Sequence, residues 1–176
     1  MEAATIRNRK IPLAKTHPLI VVGIDLAGSP RRPTGLCVLR NLSAESRVAL
    51  SDDEILDFVM EARPALVPID APLSLPKGRR TIHDRSGEHL REYDRALLLR
   101  GIRFPPVTLG PMRMLTERGL ALKKTHMAPG YHAVEYYPRA AQDLWGNPST
   151  TPRPTWLNGL RKLRLRSLKE WRQAMS

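Results

Sequence analysis

The chain predicts an α/β fold built on one mixed sheet, an antiparallel three-strand meander plus parallel strands, with flanking helices. Three observations predict it. Leu19-Ile20-Val21-Val22-Gly23-Ile24-Asp25 is an apolar run with aliphatic side chains on both faces, the pattern of a strand in the middle of a covered sheet. Ser51-Asp52-Asp53-Glu54 is a helix start, with a capping Ser and a Glu three residues on. Ala65-Leu66-Val67-Pro68-Ile69-Asp70 is a second apolar run that again ends in Asp. A strand, a meander, a helix and a returning strand make a parallel crossover.

Residues 1–17 hold Arg7, Arg9, Lys10 and Lys15 without periodicity and read as a basic N-terminal arm; residues 18–146 read as the domain. The first strand runs to about Ala27. The turn 28–35 is rich in Gly and Pro. Leu36 to Leu39 and Arg47 to Leu50 supply the other two strands of the meander. The helix opened by Ser51 carries the stripe Ile55, Leu56, Phe58 and Val59, and Pro64 closes it. Pro68 donates no ladder hydrogen bond, so a gap or bulge is expected in the second run. A loop over 71–80 precedes a helix over about 88–99, stopped by Gly101. Pro111 suits a first helical position, and that helix reaches Gly119 or beyond. Ala133 to Tyr137 reads as a strand and Pro138 to Leu144 as a short helix.

Residues 147–176 read as a Pro-rich linker and a basic amphipathic C-terminal helix. Leu157, Leu160, Leu168, Trp171 and Met175 form one stripe; Arg161, Lys162, Arg164, Arg166, Lys169 and Arg172 form the other face. Such a helix packs on a core with its basic face solvated, or offers that face to phosphates.

A net charge of +12 in 176 residues points to polyanionic partners, nucleic acid first and acidic membrane surfaces second. No run is long and apolar enough to span a membrane and no signal-peptide core opens the chain, so a soluble cytoplasmic protein is expected. Cys37 is the single cysteine, which excludes an internal disulfide and a thiolate metal cluster. It reads as a small buried hydrophobe. The five histidines lack metal-ligand spacing, and no Gly-Lys-Ser/Thr phosphate loop is present.

The acids are the informative residues. A carboxylate at the end of a buried strand needs a cation, an Arg or a helix N-terminus beside it. If the strand ending in Asp70 pairs in parallel with the one ending in Asp25, the two carboxylates lie side by side. A strand carrying Glu135 can add next to it, at the sheet end where open α/β folds bind ligands. Carboxylates gathered there repel one another unless protonated or bridged by a cation, and hard oxygen ligands select Mg²⁺ or Mn²⁺. For any one of these acids a turn, a cap or a salt bridge is the competing role, with Arg139 a neighbour for Glu135.

Gly23-Ile24-Asp25-Leu26-Ala27-Gly28-Ser29 with Arg32-Pro33-Thr34-Gly35 resembles the opening of domain-of-unknown-function family 429, predicted RNase H-like nucleases. The resemblance continues through Ile69-Asp70-Ala71-Pro72-Leu73-Ser74-Leu75-Pro76, Asp94-Arg95, Arg100-Gly101-Ile102, Phe104-Pro105-Pro106, Leu115-Thr116-Glu117-Arg118-Gly119 and Glu135-Tyr136-Tyr137-Pro138-Arg139-Ala140-Ala141. It covers about residues 20–146 in order. It implies an RNase H-like fold and a metal-dependent nuclease or phosphodiesterase acting on DNA or RNA. Asp25, Asp70 and Glu135 would be the catalytic metal ligands, with Mg²⁺ or Mn²⁺ as cofactor. Gly28, Ser29 and Thr34 would shape the turn over the site, with Ser29 and Thr34 binding substrate, and Arg95 and Arg139 would meet phosphate or carboxylate of the substrate. Proteins of this kind usually continue into a further helix that opens with an acidic segment, adds a site acid and covers the sheet. Between Trp156 and Ser176 the one acid is Glu170. The expectations are therefore a shortened chain or a dispensable last acid, and apolar sheet surface that invites self-association. A non-catalytic nucleic-acid-binding protein of the same fold, with an incomplete acid set, is the alternative.

Overall fold

The computed structural model describes residues 19–126 and 131–144. The basic arm, the Pro-rich linker and the amphipathic stripe over 156–175 lie outside these residues. In chain order the elements are β1 (Ile20–Asp25), β2 (Thr34–Arg40), β3 (Ser43–Ala49), α1 (Asp52–Ala62), β4 (Val67–Ile69), α2 (Glu92–Leu99), α3 (Gly110–Ala121), β5 (Ala133–Glu135) and α4 (Pro138–Leu144).

The sheet order is β3-β2-β1-β4-β5, with β1 central. β1, β2 and β3 form the expected antiparallel meander, and β4 and β5 add in parallel beyond β1. The crossover helix is α1. Ser51 caps it by accepting from the Glu54 amide at 3.2 Å, and the Glu54 carboxylate accepts from the Leu50 amide at 2.7 Å. Arg63 ends it in the left-handed conformation, with φ 48°, immediately before Pro64.

Two strands extend beyond what their composition suggests. β2 and β3 turn on Asn41-Leu42, where Asn41 has φ 55°. The first half of β3, Ser43 to Ser46, lacks apolar alternation because β3 is a sheet edge with half its residues in water. α2 starts four residues later than its composition suggests, because the Asp94 carboxylate accepts from the Arg91 amide and fixes the first turn there. α3 runs on into a π-helical turn, Leu122–His126.

Pro68 leaves a gap and no bulge. The β1–β4 ladder is broken into a bridge, Val21 with Leu66, and a pair, Ile24 with Ile69, in one unshifted register. Asp70 resumes it, donating to the Ile24 carbonyl at 2.8 Å.

The core lies on one face of the sheet. Val22, Ile24, Leu36, Val38, Val67 and Ile69 pack against Ile55, Phe58, Val59 and Ala62 of α1, with Leu122 and the loop residues Ala71 and Leu73 completing it. Each fully buried aliphatic side chain there contributes about 1.5–3 kcal/mol. Among the described residues the opposite face is open. Val21, Gly23 and Cys37 are half-buried on it, and Val48 is 47% exposed. The expectation that β1 is covered on both faces therefore holds for one face of the described sheet. Cys37, expected to be buried, is half-buried, and burial still pushes its thiol up.

Candidate acidic site at the carboxyl ends of the central strands

β1 and β4 are adjacent, parallel and in register at Ile24 and Ile69, so Asp25 and Asp70 follow at the same end of neighbouring strands. Strand spacing puts such residues about 5 Å apart at the backbone. Side chains alternate between faces. Ile24 and Ile69 point into the core, so Asp25 and Asp70 point to the open face, where both line one cleft with Gly23, Gly35 and Tyr136.

Asp25 is exposed, so burial is not the difficulty its strand suggests. Its antiparallel partner is Gly35, and a Cβ there would lie 3.4 Å from the Asp25 Cβ and 3.8 Å from its Oδ2. The missing side chain leaves the carboxylate room. Asp70 bears the electrostatic cost instead. Burial, then the Asp25 charge, then the Glu135 charge, raise it from 3.8 to about 6.

Glu135 is placed differently. β5 aligns it with Ile69 and not with Asp70, and one residue of register reverses the face. Glu135 points to the covered side, where Oε2 accepts from the Leu73 amide at 2.9 Å. Arg91 holds both its oxygens, Nη1 to Oε2 at 2.6 Å and Nη2 to Oε1 at 2.8 Å. The same guanidinium grips Asp94, with Nη2 to Oδ1 at 2.7 Å, and reaches Ser74 Oγ at 3.4 Å. Arg91 and Asp94 are 7% and 1% exposed, so this is a buried network in which one cation is shared by two acids. Arg91 is the partner that the sequence reading assigned to Arg139. Arg139 is exposed on α4. Among the described residues no three or more His, Cys, Asp and Glu side chains gather as a metal cluster. The sheet brings together two of the three proposed acids.

The turn after β1 is held from behind. Arg118 of α3 donates from Nη1 to the carbonyls of Ala27 at 2.6 Å and Ser29 at 3.3 Å, and from Nη2 to Asp52 of α1 at 2.6 Å. Thr34 is fully buried, and its Oγ1 accepts from the Ala27 amide and from Arg118. It shapes the turn, but the substrate contact expected of it is ruled out, because it has no surface with which to touch one. Ser29 Oγ accepts from the Arg31 amide at 3.3 Å, an exposed local turn bond. Arg95, exposed, pairs with Glu88 at 2.5 Å.

Asp84 and His83 belong to the loop between β4 and α2. Asp84 accepts from Thr81 Oγ1 and from the Arg80 and Thr81 amides, which lowers it to about 2. His83 Nε2 meets Glu117 at 3.0 Å.

The arrangement offers a hard-oxygen pair, one member of which, Asp70, ionises only near pH 6. That donor set fits Mg²⁺ or Mn²⁺, with water completing the coordination. No helix among the described residues is long and apolar enough to cross a membrane. Searches of protein-family models, curated proteins and solved structures find no match to the chain.

Proposed function

We propose that the protein is a metal-dependent nuclease or phosphodiesterase of RNase H-like fold, acting on nucleic acid. The observation that carries the reading is the placement of Asp25 and Asp70 at the carboxyl ends of adjacent parallel strands, facing one open cleft. The strand order and the motif resemblance over residues 20–146 support it, as does the charge of +12, which favours a phosphate backbone. Asp25 and Asp70 hold the ion, and Glu135 acts at one remove by fixing Arg91 beneath the loop that follows Asp70. A divalent ion bound there supplies an activated water and neutralises charge on the phosphoryl oxygens. The chain's own residues set its position: Gly35 leaves space beside Asp25, and Arg118 and Thr34 fix the turn.

The test is cleavage of labelled single- and double-stranded DNA and RNA with Mg²⁺ or Mn²⁺, for the wild type and Asp25→Asn. Asp25 is exposed, so the variant keeps its fold. Cleavage that depends on the metal and disappears in Asp25→Asn supports the assignment; equal cleavage by both proteins refutes it.

A second reading follows from the Arg91–Glu135 pair, which leaves two acids on the open side. A site with two acids suits a protein that binds nucleic acid without cutting it. It requires salt-sensitive binding in the absence of metal, with no cleavage under either ion.

A further inference from the structure

Asp70 borders a second cleft, on the other side from the one it shares with Asp25. The mouth of this cleft is aromatic: Tyr93 and Tyr136 are 46% and 40% exposed, with Phe104 and Tyr137 half-buried beside them. Its inner end is the Arg91–Asp94–Glu135 network. We propose that this cleft receives a single-ring, pyrimidine-type base of an unpaired nucleotide, next to the phosphodiester held at Asp25 and Asp70. The inference rests on the proposed function and specifies its substrate.

Three properties select that ligand. All five guanidinium N–H groups of Arg91 are used, on Asp94, Glu135 and Ser74, so none is left for a phosphate. Asp94 and Glu135 together outweigh the one positive charge, and Asp70 adds to them, so the cleft rejects anions. A neutral planar group is what remains, and aromatic walls bind it by stacking. Size sets the number of rings. The cavity is about 120 Å³, close to the roughly 150 Å³ of an engineered cavity that holds one benzene. A purine has two fused rings and exceeds the single ring that this volume matches.

The test is ligand-observed NMR titration of the full chain, without metal, using uridine, thymidine, cytidine, adenosine and guanosine. The pyrimidine nucleosides bind saturably and the purine nucleosides about tenfold more weakly. Tyr93→Ala, at an exposed position, weakens pyrimidine binding about tenfold. Met112→Trp, which fills the cleft from α3, does the same. Absence of saturable pyrimidine binding, equal purine binding, or unchanged binding in both variants overturns the proposal. Failure of the two readings is separable. Tyr93-dependent pyrimidine binding by a protein that cuts no nucleic acid keeps the base site and removes the hydrolase. Cleavage by a protein to which no pyrimidine nucleoside binds keeps the hydrolase and removes the base site.

Discussion

Arg91 and Glu135 lie 44 residues apart in sequence and share two hydrogen bonds, at 2.6 and 2.8 Å, beneath the sheet's carboxyl end. The pair ties α2's first turn to β5. Its energetic weight comes from what its loss leaves behind. Arg91→Met strands two acids, Asp94 at 1% exposed and Glu135 partly buried, without a counter-charge. The expected cost is about 3–5 kcal/mol. Urea denaturation measures it, and a loss under about 1 kcal/mol would show that the network is not what holds this end of the sheet. Glu135→Gln keeps half the geometry and should cost less.

The acid pair predicts a pH dependence of stability. Asp70 has a folded-state value of about 6 against an ordinary 3.8, so between those values the native protein holds a proton that the unfolded chain has released. The group therefore opposes folding progressively as pH rises through about 6, and contributes nothing adverse below about pH 4. Asp70→Asn removes that opposition. With solvent screening, metal-free Asp70→Asn should be more stable than wild type by roughly 1–2 kcal/mol at pH 8 and unchanged near pH 4. Thermal midpoints in EDTA at the two pH values check this. A variant no more stable at pH 8 would show that Asp70 is not the strained member of the pair.

The same proton links metal to pH. The proposed ion binding at Asp25 and Asp70 requires Asp70 ionised, so affinity for Mn²⁺ should fall by up to about tenfold per unit below pH 6. Calorimetric titration at pH 5 and pH 7.5 measures the slope. Flat affinity across that range would place the ion elsewhere.

Much of this site was legible in the chain. The meander, the crossover and the juxtaposition of Asp25 with Asp70 follow from apolar runs, a helix cap and handedness, which are local or near-local signals. Glu135 was not legible in the same way. Whether it faces Asp70 or Arg91 depends on one residue of β4–β5 register, and the three residues of β5 carry no turn or alternation that fixes it. Arg91 and Arg118 were missed as functional supports because each acts on partners distant in sequence: Glu135 for one, Ala27 and Asp52 for the other. The exposure of Asp25 was missed because Leu19 and Val21 suggest a covered second face. Leu19 is 63% exposed and Val21 half-buried.

Arg118 predicts a loss of turn geometry. Its guanidinium satisfies the carbonyls of Ala27 and Ser29 and joins them to Asp52 at the start of α1. Arg118→Met leaves two carbonyls and a half-buried carboxylate unmatched, for an expected loss of about 2–4 kcal/mol. Backbone amide exchange should rise in residues 26–34 while β4 stays protected. Uniform loosening of the whole sheet would indicate a general packing role instead.

Gly119 predicts the closest steric constraint on the site's support. A Cβ built there lies 2.9 Å from the Pro72 carbonyl oxygen and 3.0 Å from the Ala71 Cβ, with the Leu73 side chain at 3.3 Å. All three contacts are to the short loop that leaves Asp70, and neither the carbonyl nor the Ala71 Cβ can swing aside. α3 therefore approaches this loop as closely as a residue without a side chain permits. Gly119→Ala gains helix propensity worth about 1 kcal/mol in an open helix. Here the overlap should outweigh it, giving a net loss of about 1–3 kcal/mol. The displacement should also reach Asp70, whose neighbour Ala71 is one of the atoms struck. The measurement is paired: urea stability and Mn²⁺ affinity in the same variant. Both fall if the loop is pushed. A variant as stable as wild type would show that α3 and the loop have room to part, and an unstable variant with unchanged Mn²⁺ affinity would show that the strain stops short of the acid pair.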